Sequence, residues 1–95
     1  MIGVIATISV TEGNEEAFEE VMLKLVKEVA ANEPDCVLYE LFKGDEPQTY
    51  VMMERYKNKE ALSAHSSTPY FKSIGAEMAP FLAGRPEVKV FDQIS

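Results

Sequence analysis

Apolar residues recur along the first third of the chain with two different spacings. From Gly3 to Val10 they alternate with small or polar residues, which predicts a strand with one face directed to a core. Hydrophobic side chains then return every three or four residues, the spacing of one face of a helix. This stripe consists of Phe18, Val21, Met22, Leu25, Val26 and Val29. We expect Asn14 to cap this helix, and we expect the helix to end near Asn32 because Pro34 restricts the backbone before it.

Two further apolar segments predict neighbouring strands that pair as a hairpin. They run from Cys36 to Lys43 and from Thr49 to Tyr56, with a polar turn that contains glycine and proline between them. In the first segment, one predicted face carries Val37, Tyr39 and Leu41. The other face carries Cys36, Leu38, Glu40 and Phe42. The hairpin is therefore predicted to be apolar on both faces.

The last part of the chain predicts two short helices and a final strand. Asn58 is expected to cap a helix that runs to about Ser66, and Pro69 suits the first turn of a second helix. The sequence Gly84-Arg85-Pro86 ends the helical region. The segment from Glu87 to Ile94 predicts the last strand.

The order of these elements indicates an α+β protein with the ferredoxin-like β-α-β-β-α-β arrangement, its second helix broken in two. Right-handed crossovers place the helices on one face of a four-stranded antiparallel sheet. The other face is then bare, although the hairpin strands carry apolar side chains there. The chain has 95 residues and is 46% hydrophobic, which is more apolar surface than one small domain easily buries. We therefore expect residues 1–95 to form a single domain that pairs with a second copy.

The charge of the chain narrows the class of partner. A net charge of −7 and an isoelectric point of about 4.6 argue against nucleic acid, which requires clustered lysine and arginine, and against an anionic membrane surface. Cys36 is the only cysteine, so it cannot form an internal disulfide, and no Cys/His spacing is typical of a zinc site. With no apolar segment of about 20 residues and no signal peptide ahead of the first strand, we expect a cytoplasmic protein.

Several short motifs, in their order and spacing, resemble those of antibiotic biosynthesis monooxygenase domains. They are Ile5–Val10 with Glu12-Gly13, Glu33–Glu40, Val51–Tyr56, Lys59–His65 and Ser67–Phe71. The resemblance covers nearly the whole chain. It implies a dimeric α+β barrel, in which two sheets face each other with the helices outside, and a pocket between helices and sheet in each subunit. It also implies an enzyme that oxidises aromatic or quinol substrates with molecular oxygen, often without a metal or a flavin.

The sequence departs from this family at positions that concern cofactors. Tyr56 stands where the family usually has a tryptophan, and the chain contains no tryptophan at all. Relatives that degrade haem have an iron-ligating histidine at a position that falls near Gly75 here, and an asparagine where Ala6 stands. Without those two residues we do not expect haem degradation, and we expect no metal and no cofactor.

Two ionisable residues are candidates for catalysis. His65, the only histidine, is a candidate general base for the hydroxyl of a phenol or hydroquinone, and its structural alternative is a buried histidine bonded to a backbone group. Glu54 lies mid-strand among apolar residues, where burial would raise its pKa and suit it to act as acid, base or partner of His65. Its alternative is an ion pair with Arg55 or a lysine. A register shift of one residue exchanges the faces of a strand, so the face of Glu54 stays open.

Aromatic and sulfur-containing side chains are the candidate substrate-binding residues. They are Tyr39, Met52, Tyr56, Tyr70, Phe71 and Phe81. Such residues would form an adaptable wall for a planar substrate, although the same spacings are typical of an ordinary core. Arg85 is a candidate for holding an anionic group, with a solvent-exposed charge as its alternative.

Three classes of function agree with these residues. The first is a cofactor-independent monooxygenase, an oxidoreductase that takes a small aromatic or quinol and oxygen, with His65 promoting deprotonation. The second is an isomerase or other proton-transfer enzyme for a small ketone, in which His65 and Glu54 move a proton and Arg55 or Arg85 binds a phosphate. The third is a non-enzymatic dimer that binds a small ligand.

Overall fold

The elements of regular structure follow one another in the predicted order. The structure is a computed structural model that describes residues 1–95. Its strands are β1 (Ile2–Ser9), β2 (Cys36–Lys43), β3 (Thr49–Tyr56) and β4 (Glu87–Asp92). Its helices are α1 (Glu15–Asn32), α2 (Lys59–Ser66) and α3 (Pro69–Met78), and a 3-10 turn (Ala79–Phe81) follows α3. None of these helices has the length and apolarity that crossing a membrane requires.

The four strands form one antiparallel sheet in the order β2-β3-β1-β4. Along β1 the residues at every second position are buried, from Ile2 to Ile8, and these face the helices. The helices therefore cover one face of the sheet, and the prediction of an α+β, ferredoxin-like fold is confirmed. The bounds predicted for β2, β3 and α2 also hold, while β4 ends at Asp92 rather than at Ile94.

The core lies between this face and the apolar stripe of α1. The stripe is buried as its spacing predicts, apart from the half-buried Val26. Phe18 is fully buried and packs on Tyr50 of β3, with 4.7 Å between the ring centroids. Ile74 and Met78 of α3 join the same core. Because each fully buried large apolar side chain contributes about 1.5–3 kcal/mol, this layer dominates the stability of the fold.

One prediction about the faces of β2 is wrong at the start of the strand. The pairing with β3 shifts between Cys36 and Leu38, and this β-bulge inserts one unpaired residue, Val37. Cys36 consequently lies on the helix side with Tyr39 and packs against the core, whereas Val37 is exposed. Burial raises the pKa of the Cys36 thiol to about 11, so the thiol is protonated at neutral pH.

Side-chain caps begin the two short helices, whereas the long helix begins without one. The side chains of Asn58 and Thr68 accept hydrogen bonds from backbone N–H groups in the first turns of α2 and α3, at 2.8 and 3.3 Å. Asn14 precedes α1 as predicted, yet its side chain does not cap the helix. Its amide instead donates to the hydroxyl of Thr11 at 2.7 Å. The cap at Asn58 matters for function because α2 carries His65.

The face of the sheet opposite the helices carries apolar side chains that no element of the chain covers. Ile5, Met53 and Phe91 are 39%, 40% and 48% exposed there, and Phe42 of β2 is exposed as well. The prediction that the hairpin is apolar on both faces is confirmed. An exposed apolar surface of this kind marks an interaction site more often than a free surface.

Candidate functional site

A cavity of about 340 Å³ lies between the helix side of the sheet and the helices α2 and α3. Of the 17 residues that line it, 12 are hydrophobic. Strand β1 contributes Val4, Ala6 and Ile8, and α3 contributes its inward-facing side from Phe71 to Met78. Sites for small molecules usually measure about 300–1,000 Å³ and have such a largely apolar lining.

The ionisable residues of the cavity lie together at one end. Glu54 is the cross-strand neighbour of Val4 on one side and of Tyr39 on the other, and the ring of His65 packs on Tyr39. At the opposite end lies Ile8. Val10, two residues beyond it, forms a bridge with Leu82, which follows the 3-10 turn after α3. The cavity therefore has a polar end at Glu54 and His65 and an apolar end at Ile8 and Leu82.

His65 is the only polar or charged residue, tyrosines apart, that is buried, with 3% of its surface exposed. It lies in the last turn of α2, where its ring is surrounded by three aromatic rings. The centroid distances are 4.8 Å to Phe71, 5.1 Å to Tyr39 and 5.5 Å to Tyr56. These contacts fix the plane of the imidazole at the wall of the cavity.

A carboxylate from the end of α1 holds one nitrogen of this ring. Nδ1 of His65 lies 3.0 Å from both carboxylate oxygens of Glu33, and the hydroxyl of Tyr70 donates to the same carboxylate. Because a carboxylate only accepts hydrogen bonds, Nδ1 carries the hydrogen. In the neutral ring Nε2 then retains its lone pair and can accept a proton. The alternative considered from sequence, a bond from the histidine to a backbone group, is not what the side chain makes.

Glu54 is half-buried in the cavity wall and bonded to a neighbouring tyrosine. The hydroxyl of Tyr56 donates to its Oε1 at 2.6 Å. Burial raises the pKa of Glu54 above its ordinary value, the hydrogen bond from Tyr56 and the proximity of His65 lower it, and the charge of Glu33 raises it. Burial is the largest of these effects, so Glu54 is easier to protonate than a surface glutamate.

The tyrosines at this end of the cavity are proton donors rather than phenolates. Burial, followed by the charge of Glu54, raises the pKa of both Tyr39 and Tyr56 far above the ordinary value. Burial and the bond to Glu33 raise the pKa of Tyr70 to about 12. At neutral pH all three hydroxyls keep their protons: that of Tyr56 donates to Glu54 and that of Tyr70 donates to Glu33.

The structure brings together five of the eight site residues expected from sequence. His65, Glu54, Tyr39, Met52 and Phe71 all line the cavity. The other three lie outside it: Tyr56 beneath Glu54, Tyr70 against Glu33, and Phe81 in the 3-10 turn, where its side chain packs on the core.

No lysine or arginine side chain lines the cavity. Arg55 lies on the uncovered face of the sheet, opposite Leu38 and Gly3, and the side chain of Arg85 is exposed. No group of three or more His, Cys, Asp or Glu side chains is placed to hold a metal ion.

Comparison with known proteins identifies the relatives of the chain. The family model described as antibiotic biosynthesis monooxygenase matches residues 1–77, which is most of the chain. The chain belongs to this family. The part beyond the match contains β4, which completes the sheet beside β1.

Two solved structures and one protein sequence illustrate what the chain is similar to. A candidate antibiotic biosynthesis monooxygenase from Caulobacter crescentus is 40% identical, with a TM-score of 0.96 over 99% of this chain and 90% of the other. A second such protein, from Nitrosomonas europaea, is 22% identical and superposes over the whole of both chains with a TM-score of 0.92, a likeness of fold alone. An uncharacterized protein of Synechocystis is 32% identical over 66 residues, which are 67% of this chain and 44% of that protein. The matched segment thus spans less than half of that relative.

The sequence of this member of the monooxygenase family did not identify Glu33 as a residue of the site. Its carboxylate reaches His65 over 32 residues of chain, a distance that no periodicity reports. One signal was present in the sequence: Glu33 stands just before Pro34 at the predicted end of the helix, where the helix dipole disfavours a negative charge. In the structure its side chain is only 12% exposed. A carboxylate in such a position indicates a tertiary partner.

Proposed function

We propose that this protein is a cofactor-independent monooxygenase that oxidises a small aromatic or quinol substrate with molecular oxygen. The observation that carries the proposal is the buried imidazole of His65, held at Nδ1 by Glu33 in the wall of a mostly apolar cavity. Membership of the antibiotic biosynthesis monooxygenase family supports the same class of reaction.

His65 acts as the general base in this proposal. Nε2 accepts the proton of a substrate hydroxyl, and the carboxylate of Glu33 opposes the positive charge that the ring acquires. The loss of the proton raises the electron density of the substrate ring and makes electron transfer to oxygen easier. Glu54, at the same end of the cavity, binds a second polar group of the substrate.

The substrate itself supplies the electrons. A hydroquinone that reacts with one molecule of oxygen gives a hydroxyquinone and water: one oxygen atom enters the ring and the other leaves as water. The ring loses four electrons and oxygen gains four, so the equation balances without a flavin or a metal. The cavity orients the ring and limits the access of water.

The cavity lining favours this reaction over isomerisation of a phosphorylated ketone. An isomerase of that kind needs a cation at the phosphate, and neither Arg55 nor Arg85 lies in the lining. A simple binding protein explains the apolar walls but gives no role to the paired Glu33 and His65.

Oxygen consumption tests the proposal. The purified protein is placed in an oxygen electrode with hydroquinone, methylhydroquinone and small polyphenols, and uptake is compared with autoxidation. We expect uptake by the wild type, a loss of about 10²–10⁴-fold in His65→Gln, and wild-type rates in the surface control Ser63→Ala on the same helix. Glutamine can still donate to Glu33 but cannot serve as the base. Uptake that never exceeds autoxidation, or that survives His65→Gln, contradicts the proposal.

We also propose that the protein acts as a homodimer, in which the uncovered face of the sheet packs on that of a second copy. Ile5, Met53 and Phe91 form the apolar centre of this face. Sedimentation should give twice the mass of the chain, and Met53→Glu should shift the protein toward the monomer because it buries a charge at the contact. A wild type that sediments as a monomer contradicts this part. The single cysteine also suits the reducing cytoplasm, which we propose as its location.

A further inference from the structure

The shape of the cavity and the position of its charges restrict the substrate more closely than the reaction class does. Val4 and Ile8, which line opposite ends, are four residues apart on β1. At about 3.4 Å for each residue of an antiparallel strand, they lie about 14 Å apart, which is longer than a single aromatic ring. The site therefore has room for a ring and a substituent in line.

Only the end of the cavity near Val4 offers polar partners to a ligand. A hydroxyl placed near Val4 meets His65 and Glu54, whereas a substituent that extends toward Ile8 meets Met78 and Leu82. An apolar substituent gains from burial there, and a polar one loses its hydration without finding a partner.

The charged residues in and behind the cavity wall disfavour the binding of an anionic ligand. The lining contains no lysine or arginine, its one carboxylate is Glu54, and Glu33 lies directly behind His65. The chain as a whole carries a net charge of −7. A negatively charged substituent would lose its hydration and meet repulsion, with no cation to offset either.

We propose that the cavity selects uncharged phenols and hydroquinones with an alkyl substituent and rejects rings with an anionic substituent. The hydroxyl binds at His65, at the polar end, and the alkyl group extends toward Ile8 and Leu82. This inference rests on the proposed function for the chemistry of the ring, but its test measures binding alone. The proposed function and this inference can therefore fail independently of each other.

Calorimetric titration with para-alkylphenols, which lack the second hydroxyl that oxidation to a quinone requires, tests the apolar end. From para-methylphenol to para-butylphenol we expect the dissociation constant to fall about fourfold for each methylene buried. A matched pair tests the charge: para-hydroxyphenylpropanamide, polar but uncharged, should bind more weakly than para-butylphenol. Para-hydroxyphenylpropanoate, of the same shape as the amide but anionic, should bind at least about a hundredfold more weakly than the amide.

Gly75 provides the variant that locates the alkyl group. It lines the cavity, and a Cβ built on it meets no atom within 4 Å, so a side chain there enters open space. Gly75→Leu should abolish the gain with chain length, and Ala76→Leu, one position further on the exposed side of α3, should leave it unchanged. If Gly75→Leu does not fold, the smaller Gly75→Ala should reduce the gain at the longest chain.

Leu82 provides the converse test. It is half-buried at the apolar end, where the amine of a lysine can still reach water. Leu82→Lys should strengthen binding of the propanoate at least tenfold and weaken binding of para-butylphenol. The inference is overturned if affinity does not change with chain length, if the propanoate binds as tightly as the amide, if Gly75→Leu has no effect, or if no alkylphenol binds to the folded protein.

Discussion

Replacing Glu33 by alanine tests whether its pair with His65 is a structural centre of the molecule. The change leaves two donors without their acceptor, the Nδ1–H of His65 and the hydroxyl of Tyr70. The His65 side chain is 4% exposed, so water does not readily replace the lost carboxylate. A buried donor left without a partner costs about 1–3 kcal/mol.

The buried Nδ1–H of His65 accounts for about 1–3 kcal/mol, and the half-buried hydroxyl of Tyr70, which can turn to water, for about 0.5–1.5 kcal/mol. One favourable effect reduces this loss. Glu33 is a negative charge at the C-terminal end of α1, and its removal returns about 0.3–1 kcal/mol of helix-dipole energy. The expected net loss is about 0.5–4 kcal/mol in the free energy of unfolding. At about 4–8 °C for each kcal/mol in a domain of this size, a loss of about 2 kcal/mol, near the middle of this range, should lower the melting temperature by about 8–16 °C.

Urea and thermal unfolding followed by circular dichroism at neutral pH measure this loss. All variants are compared at one protein concentration, because a dimer unfolds at a concentration-dependent temperature. Glu33→Gln, which keeps an acceptor, should lose roughly half as much as Glu33→Ala. The control Asp35→Ala removes an exposed carboxylate two residues away and should stay within about 0.5 kcal/mol of the wild type. A Glu33→Ala variant as stable as Asp35→Ala would refute the reasoning.

Three further predictions concern pH and the helices. Burial holds the pKa of Glu54 above its unfolded value, so the cost of its charge is present above the folded pKa and vanishes as the pH falls below the unfolded one. Glu54→Gln, whose amide oxygen can still accept from Tyr56, should therefore raise the melting temperature at neutral pH, and a gain that persists at about pH 4 would contradict this cause. The pKa of Tyr50 and of Tyr70 is raised to about 12, and those of the other two tyrosines are raised as well. Unfolded tyrosines release their protons near pH 10, so the free energy of unfolding should fall as the pH rises above about 10. A titration of phenolate absorbance should show no ionisation of the folded protein at that pH. Phenolate that forms near pH 10 without unfolding would refute the raised pKa values of the tyrosines. Asn58→Ala should cost about 1 kcal/mol through loss of the α2 cap, and an effect below about 0.3 kcal/mol in chemical unfolding would show that α2 is held by its packing alone.

The position of His65 links these predictions to function. Its helix begins at the Asn58 cap, its ring is held among three aromatic rings, and its Nδ1 is bonded to the end of another helix. Catalytic groups held by several independent contacts lose little freedom when substrate binds. The stability lost on removing Glu33 and the activity that we propose is lost on replacing His65 should therefore both trace to the same small region of the fold.

The sequence by itself determined what depends on neighbours along the chain. The alternation in β1, the stripe of α1, the hairpin bounds, the cap at Asn58 and the start of α3 at Pro69 all follow from local rules. These rules are the periodicity of helices and strands, hydrogen bonds within one turn, and the fit of proline to a first turn. The element order then left few topologies, because crossovers are right-handed. Glu54 was recognisable as a candidate because ionisable side chains are rare in apolar segments, and His65 because it is the only histidine.

Only the tertiary structure decided how distant residues meet. Glu33 reaches His65 across 32 residues, Tyr70 turns to that carboxylate rather than to the cavity, and a single inserted residue in β2 moves Cys36 to the helix side. Periodicity tells which face of an element is buried, but it does not tell which buried side chains border a cavity and which pack directly on one another. That distinction depends on how the helices sit on the sheet, and the close packing of side chains from several elements sets it.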